Sequence, residues 1–496
     1  MNNKYFIGIL ILVGIIKILT AIYLPLGNDE IYYLLYARYP DYHYYDHPLL
    51  VGWFIKIFSF NLAMNSIFSY RIFALVLSSI TPLIIYKIVL MLSNKFSAQI
   101  AVIISISSIY FSIIAGVFVM PDAPFHFFWA LSIFFAVRSF LTSNGSSVCH
   151  KDYLLCCFFL GLTCLSKFHG VFLVFGIFLF IFLYRSSFLR SFSFYLGILL
   201  LMCFTIPILL WNFHHDWVQF NFYLNRVEGN SNFNFVGPIK ELLGEFGYIN
   251  PVVFAFIGYF AFFKYKKIDN VNSSIFLLLT SLPFILFVIS LSTVKETLPH
   301  WSGTSYFSLI ILSSIVAGES GSEVFKKAWI NLSISLLIIV FVLGIYVVNH
   351  FPGTIGNKVK EQTYGSGDFT LDMFGWKESA QKIRDTIQQK GFSDLPIVSD
   401  NWFPAAHIDN FICRPANIPF YCIGNIPQIH QYNWINPKRG EWSKYDSVLT
   451  IVPSNYFREP NRYLSKFYSS IDLISTVEEF RNDKKTRNYF IYLLRK

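Results

Sequence analysis

Several carboxylates stand where long apolar segments of this sequence end. Asp29 and Glu30 follow the first apolar segment, Asp46 and His47 come shortly afterwards, and Asp122 lies in a tight turn before another such segment. One carboxylate in such a place most often solvates or caps a helix end. Three short acidic stretches on one side of a membrane favour a site, because charge at the edge of hydrocarbon usually faces a cavity. A partly desolvated carboxylate is also what a general base for a hydroxyl requires.

Cationic and imidazole side chains stand at comparable positions. Lys167 and His169 lie at a break between two apolar segments, and His300 precedes another. Lys167 could snorkel to the interface or hold an anionic phosphate as a point charge, and these two readings stay open. His214 and His215, together with Asp46, are candidate ligands for a divalent ion, although no ligand spacing supports one.

The elements that carry these residues are typical of an integral membrane protein. Of the 496 residues, 54% are hydrophobic and 14% are charged, whereas a soluble domain carries about 25% charged residues. Apolar length predicts about eleven transmembrane helices. They are 5–26, 70–92, 97–119, 123–141, 152–166, 168–184, 191–211, 249–263, 273–292, 303–318 and 328–348. The shorter amphipathic segment 49–60 is predicted to lie at the interface.

Charge predicts the orientation of this bundle. With a cytoplasmic N-terminus, Lys and Arg occur in every inner loop, which satisfies the positive-inside rule. The acidic residues named above then lie outside, as do residues 349–496. If the short segments 152–166 and 168–184 formed a single span, the predicted membrane orientation of every later segment would be reversed. The net charge of +10 is explained by these basic loops, and no basic helix with base-reading spacing indicates a nucleic acid partner.

The polar C-terminal region differs in kind from the rest. It alternates helices predicted near 374–390 and 456–467 with strands near 395–399, 447–452, 471–476 and 488–494. The sequence therefore predicts two domains, a transmembrane domain at 1–348 and a small extracytoplasmic α/β domain at 349–496.

The motifs together resemble a known family. They are Asp29-Glu30, Tyr45-Asp46-His47-Pro48-Leu49, Pro121-Asp122-Ala123-Pro124, Leu165-Ser166-Lys167 and His300-Trp301, supported by Asp372-Met373-Phe374-Gly375-Trp376 and Gln431-Tyr432-Asn433-Trp434. Their order and spacing resemble the bacterial family-39/83 glycosyltransferases, the dolichyl-phosphate-mannose protein mannosyltransferase-like group that includes aminoarabinose transferases of lipid A. Those enzymes have Glu-Lys-Pro where this chain has Asp46-His47-Pro48, which weakens an assignment of aminoarabinose as the sugar.

The resemblance implies an all-α polytopic bundle of the GT-C type in the bacterial inner membrane. It implies an inverting transfer of sugar from a polyprenyl-phosphate donor to an envelope acceptor, which is lipid A, a glycan or a protein. Asp29 would deprotonate the acceptor hydroxyl, and Asp122 would support the acceptor or order Asp29. Lys167 and His47 would face the donor phosphate. The remaining candidates for substrate binding are Glu30, Tyr45, Asp46, His169 and His300. No cofactor is firmly implied, and a divalent ion stays open.

Two other classes of membrane protein are alternatives to the enzyme. A flippase or transporter of lipid-linked sugars also needs many spans, but no inverted repeat is evident, and the acidic residues gather at one face rather than at mid-span. A structural membrane protein would make Asp29 and Asp122 incidental. No P-loop, GxGxxG or GxSxG motif in a strand–helix context indicates a nucleotide site or a serine hydrolase.

Overall fold

A computed structural model describes residues 2–142, 148–227, 233–264, 271–319 and 323–496. The chain is mostly helical, and a five-stranded sheet lies in the C-terminal region. By contacts, the described chain divides into two compact units. The first comprises 1–21 and 41–341, and the second comprises 22–40 and 342–496. The second unit thus contains the segment that carries Asp29 and Glu30.

Every predicted transmembrane segment overlaps a helix of the first unit or a helix at its boundary. The α-helices up to His350 are Asn3–Tyr23, Asn28–Arg38, Leu50–Phe58, Ile67–Leu92, Lys95–Ser107, Asp122–Phe140, His150–Ser166, Gly170–Tyr184, Phe192–His214, Val218–Val227, Val236–Ile249, Pro251–Ile257, Val271–Leu279, Leu282–Leu291, Tyr306–Glu319 and Glu323–His350. Two turns of π-helix, Tyr110–Ile114 and Gly258–Phe263, lie between these α-helices. The chain is a multi-pass membrane protein of helical architecture.

The number of full-length spans is lower than the eleven predicted. Among the described residues, six helices are long and apolar enough to cross a membrane, and a seventh span is counted if a bent helix pair is one span. The bend is 105° and lies at Asn250, which has a φ of +89° and is followed by Pro251. The Asn250 amide donates to the carbonyls of Ser107 and Ser333 at 2.9 and 3.0 Å, so the break is held by neighbouring helices. Other predicted spans contain shorter apolar helices, such as Lys95–Ser107 in the predicted segment 97–119.

The segment after the first span is helical, whereas the sequence predicted a loop. Helix Asn28–Arg38 has Asp29 and Glu30 in its first turn and Arg38 in its last, charges that suit the helix dipole. The Glu30 carboxylate accepts a hydrogen bond from the Gly27 amide at 3.0 Å and so fixes the start of the helix. The predicted interfacial segment 49–60 is also helical, from Leu50 to Phe58.

The C-terminal region forms one mixed sheet. Its strands are β1 (Ile397–Ser399), β2 (Phe420–Cys422), β3 (Ser447–Pro453), β4 (Ser470–Arg481) and β5 (Lys484–Arg495), in the order β2-β1-β3-β5-β4. β1 pairs in parallel with β2 and β3, and β5 pairs antiparallel with β3 and β4. The predicted α/β architecture is found, although β2 was not predicted.

Short helices surround this sheet. They are Trp376–Gln389, Trp402–His407, Ile426–Ile429, Tyr432–Arg439 and Pro460–Leu464, with a π-helical turn at Ile408–Cys413. The last of the helices is much shorter than the predicted 456–467. Behind the sheet, the buried guanidinium of Arg487 pairs with Glu479 at 3.0 Å and also lies over the Trp376 ring. Such a buried, fully paired charge orients the helix Trp376–Gln389 on the sheet.

Candidate active site

The central feature of the first unit is a buried ion pair. Lys167 lies in extended conformation between the helices His150–Ser166 and Gly170–Tyr184, and this break directs its ammonium into the bundle. Its Nζ is 2.9 and 3.1 Å from the two carboxylate oxygens of Asp122, which begins the helix Asp122–Phe140. The side chains of Lys167 and Asp122 are 3% and 1% exposed. Two predicted site residues thus meet, and Asp122 is a paired carboxylate.

The Asp122 carboxylate also accepts a hydrogen bond from a buried phenol, which in turn contacts a threonine hydroxyl. The Tyr110 hydroxyl donates to Asp122 Oδ1 at 2.6 Å and is 3.0 Å from the Thr304 hydroxyl. Gly303 allows this arrangement, since a Cβ there would come within 2.6 Å of the Tyr110 ring. The Asp122 carboxylate therefore has both a cation and a phenol as fixed partners, which lock its rotamer.

Two histidines interact electrostatically with the ion pair, and a third interacts with one of them. His300 interacts electrostatically with Lys167 and Asp122, and His169 interacts with both of these residues and with His47. Burial, together with the Lys167 ammonium, lowers the pKa of His300 to about 4, so His300 is neutral near pH 7. The His169 ring stacks on Phe284 at 4.9 Å. The structure thus brings together five candidates that are scattered along the sequence from 47 to 300.

The loop around Tyr45 and Asp46 is held by a side chain that the sequence did not single out. Buried Gln219 donates to the carbonyls of Tyr44 and Tyr45 at 2.9 Å each, and its Oε1 is 2.8 Å from His43 Nε2. The Tyr45 ring packs on Phe222 at 4.9 Å, and Asp46 is 8% exposed. The helix Val218–Val227, which carries Gln219 and Phe222, therefore holds this loop.

The metal candidates do not form a recognisable ligand group. In the part of the chain that the structure describes, no three His, Cys, Asp or Glu residues are grouped to hold a metal ion. His214 is exposed, and His215 stacks on Trp211 at 4.1 Å with its Nδ1 2.6 Å from the Trp211 carbonyl. His215 is thereby oriented by its own helix, and Asp46, His214 and His215 stay unassigned as ligands.

Asp29 and Glu30 lie in the second unit, at the start of the helix Asn28–Arg38. Asp29 is exposed, whereas Glu30 is 2% exposed and bonds the Gly27 amide. The two adjacent carboxylates thus have different environments. Glu30 holds the start of the helix, and the Asp29 side chain is exposed.

The residue before Asp29 contacts the C-terminal region of the same unit. His407 Nε2 is 3.1 Å from Asn28 Oδ1, which makes Nε2 the donor and leaves the buried Nδ1 without a hydrogen-bond partner among the described residues. The His407 ring stacks on Trp376 at 4.3 Å. Burial, together with the Arg487 guanidinium, holds the pKa of His407 well below its ordinary value of 6.5.

This environment predicts an acid-sensitive contribution to stability. Below about pH 6.5 the unfolded chain protonates His407 while the folded chain does not, so the free energy of unfolding falls as the pH decreases. Above that pH the residue contributes no pH dependence. Replacing His407 by Phe keeps a ring on Trp376 and should remove a slope of about 1.4 kcal/mol per pH unit between pH 6 and 5. Thermal unfolding followed by tryptophan fluorescence from pH 8 to 5 measures this, and equal slopes in both proteins would contradict it.

Sequence reasoning missed the residues that hold the candidates rather than the candidates themselves. Thr304 lies 194 residues from Tyr110, which it contacts, and Gln219 lies 175 residues from Tyr44, whereas Tyr110 is 12 residues from Asp122. A weak signal existed for Tyr110, which follows Ser107-Ser108 inside an otherwise apolar segment. Gln219 had no distinguishing signal, because a single amide next to a span is common.

Comparison with known proteins gives a family and a fold. The model of the family described as dolichyl-phosphate-mannose-protein mannosyltransferase matches residues 46–211. A comparison with curated proteins found no match. Among solved structures, ArnT from Cupriavidus metallidurans in the apo state aligns with a TM-score of 0.62 at 12% identity, covering 99% of this chain and 98% of that chain.

The structure of ArnT from Cupriavidus metallidurans bound to undecaprenyl phosphate aligns over the same shares, with a TM-score of 0.60 at 11% identity. The apo form of the Archaeoglobus fulgidus oligosaccharyltransferase aligns with a TM-score of 0.50 at 11% identity, covering 84% of this chain and 64% of that chain. The ArnT alignments establish the fold over the whole described chain. Residues 46–211 are thus similar to the dolichyl-phosphate-mannose-protein mannosyltransferase family, and the chain is a membrane glycosyltransferase that uses a lipid-phosphate sugar donor.

Proposed function

We propose that this enzyme moves a sugar from a polyprenyl phosphate to a hydroxyl or phosphate group of a bacterial envelope acceptor, on the extracytoplasmic face of the inner membrane. The observation that carries the proposal is the buried Asp122–Lys167 pair at a helix break. Two charges this deep in an apolar bundle are costly to bury, and such residues usually serve a site. A fixed ammonium is suited to the phosphate of a donor that arrives through the bilayer.

The residues divide into an acceptor side and a donor side. For a hydroxyl acceptor, Asp29 accepts the proton while the hydroxyl oxygen attacks the anomeric carbon of the sugar. The bond between that carbon and the phosphate oxygen breaks, and its electron pair leaves with the polyprenyl phosphate. Displacement in one step inverts the anomeric centre. A leaving group that already is a phosphate anion needs cationic stabilisation rather than an acid.

Asp122 acts on the donor side through Lys167 in this proposal. Its carboxylate holds the ammonium in one place, Tyr110 holds the carboxylate, and Thr304 holds the Tyr110 hydroxyl. His300 is neutral and adds no charge that would compete with this ammonium. His47 and His169, which interact electrostatically with each other, complete the donor side. Tyr45 and Asp46 shape the cavity surface, and Glu30 holds the start of the helix that carries Asp29.

The experiment that tests the function is sugar transfer in proteoliposomes. Purified protein is given a series of radiolabelled sugars on polyprenyl phosphate, with lipid A, envelope glycan or a secreted protein as acceptor. We expect transfer from a lipid-phosphate donor and none from nucleotide sugars. Lipid-linked sugar that crosses the bilayer without transfer to any acceptor would replace this function with that of a flippase.

A further inference from the structure

The C-terminal region makes contacts along the whole length of the helix that carries Asp29. The two parts belong to one compact unit, although more than three hundred residues separate them in sequence. Eight of the eleven residues of Asn28–Arg38 are buried. The helix is therefore held on more than one side, whereas an ordinary surface helix buries a single stripe.

The first contact is at the N-terminal end of the helix. The Asn28 amide bonds the His407 ring at 3.1 Å and also bonds Asp372 and Tyr456. The Tyr456 hydroxyl donates to Asp372 Oδ1 at 2.9 Å, so these partners are linked to each other. Three side chains of the C-terminal region thus converge on the residue directly before Asp29.

The second contact is in the middle of the helix, one turn after Asn28. The Tyr32 hydroxyl accepts a hydrogen bond from the backbone amide of Gln431 at 3.0 Å. The Tyr32 ring meets Trp402 edge to face, with 5.0 Å between ring centroids. A hydrogen bond and a ring contact on the same side chain restrict rotation of the helix about its axis.

The third contact is at the C-terminal end. Arg439 Nε donates to the Tyr39 hydroxyl at 3.0 Å, and the same guanidinium pairs with Asp409 at 2.6 Å. Arg38 hydrogen-bonds the Asn410 side chain. A guanidinium that is already paired is a rigid donor, which makes it an effective anchor for Tyr39.

We infer that the C-terminal region is a positioning element of the enzyme, which sets the place and direction of Asp29 through contacts at three points of its helix. Contacts at both ends and in the middle restrain translation and rotation together. A base displaced by about 1 Å can lose about 100-fold in rate, so such restraint has catalytic value. This inference rests on the proposed function, in which Asp29 accepts the acceptor proton. His407 and Asn28 are positioning residues in this scheme.

The test uses two variants of His407 in the full-length protein. His407→Phe keeps a flat ring against Trp376 but cannot donate to Asn28, whereas His407→Gln keeps a donor. Ser379→Ala is a matched control, because it removes a 2.8 Å hydrogen bond to Glu479 within the same region. Amide hydrogen exchange of residues 28–38 reports the restraint, and kcat and KM for the lipid donor report its consequence.

We expect His407→Phe to exchange faster over 28–38 and to lower kcat by about 10- to 100-fold at unchanged donor KM. His407→Gln should recover most of this loss, and Ser379→Ala should keep kcat and exchange over 28–38 like the parent protein. Unchanged exchange, or faster exchange with unchanged kcat, would overturn the inference. A turnover that survives Asp29→Asn would refute the proposed base, and the exchange rates would then still decide whether the region restrains the helix.

Discussion

Asp29→Asn should abolish sugar transfer, with kcat reduced by about 100- to 10,000-fold. Asn has the size of Asp and keeps its hydrogen-bonding capacity, but it cannot accept the proton of the acceptor hydroxyl. The Asp29 side chain is exposed at a helix start, so an uncharged side chain of the same size is accommodated there. The stability of the protein and its affinity for the lipid donor should therefore change little. The measurement is single-turnover transfer in proteoliposomes, with donor binding determined separately.

Asp41→Asn is the matched control for this result. Asp41 precedes the Tyr45 loop, and its carboxylate accepts a hydrogen bond from the next amide, that of Tyr42, at 2.8 Å. Its variant carries the same chemical change at a residue without a proposed catalytic role, so it should turn over like the parent protein. Equal turnover of Asp29→Asn and Asp41→Asn would remove Asp29 from the role of base.

Lys167→Met should destabilise the protein by about 3–5 kcal/mol and greatly weaken its binding of polyprenyl phosphate. The substitution leaves the Asp122 carboxylate buried with the Tyr110 phenol and without its ion-pair partner, which is the costly case for a buried pair. The double variant Asp122→Asn with Lys167→Met removes both charges. It should be less destabilised than the sum of the two single variants, because neither charge is left unpaired. Denaturation in detergent micelles gives the four stabilities of the cycle.

The ion pair Arg138–Asp152 provides a comparison in the same bundle. Its atoms lie 3.2 Å apart, but the Arg138 side chain is 44% exposed. Because solvent screens the charge of the exposed Arg138 guanidinium, Arg138→Met should cost less stability than Lys167→Met and leave donor binding intact. Additive stabilities in the Asp122/Lys167 cycle would contradict the coupling of these two charges. Retained lipid binding by Lys167→Met would contradict the role of Lys167 in binding the donor phosphate.

Many local features of the chain were predictable from the sequence alone. Apolar length located a helix at each predicted span, because a polypeptide in lipid must satisfy its own backbone hydrogen bonds. The C-terminal alternation of polar and apolar residues predicted an α/β region, and the motif order predicted the family. Candidate residues such as Asp122 and Lys167 stood out because charge next to hydrocarbon is rare. The sequence mostly mispredicted the lengths of helices. At Asn250, for example, a positive φ and tertiary hydrogen bonds divide one apolar stretch into two helices.

Composition and local pattern thus determined the class of protein, the positions of its helices and the ionisable residues worth considering. Tertiary structure alone decided which of those residues are partners. Asp122 and Lys167 form a pair across 45 residues, and Asn28 meets His407 across 379 residues. Lipid imposes a local rule, since each residue near hydrocarbon must be apolar or paired. The choice of partner depends on how distant helices pack, and no local pattern in the sequence records that choice.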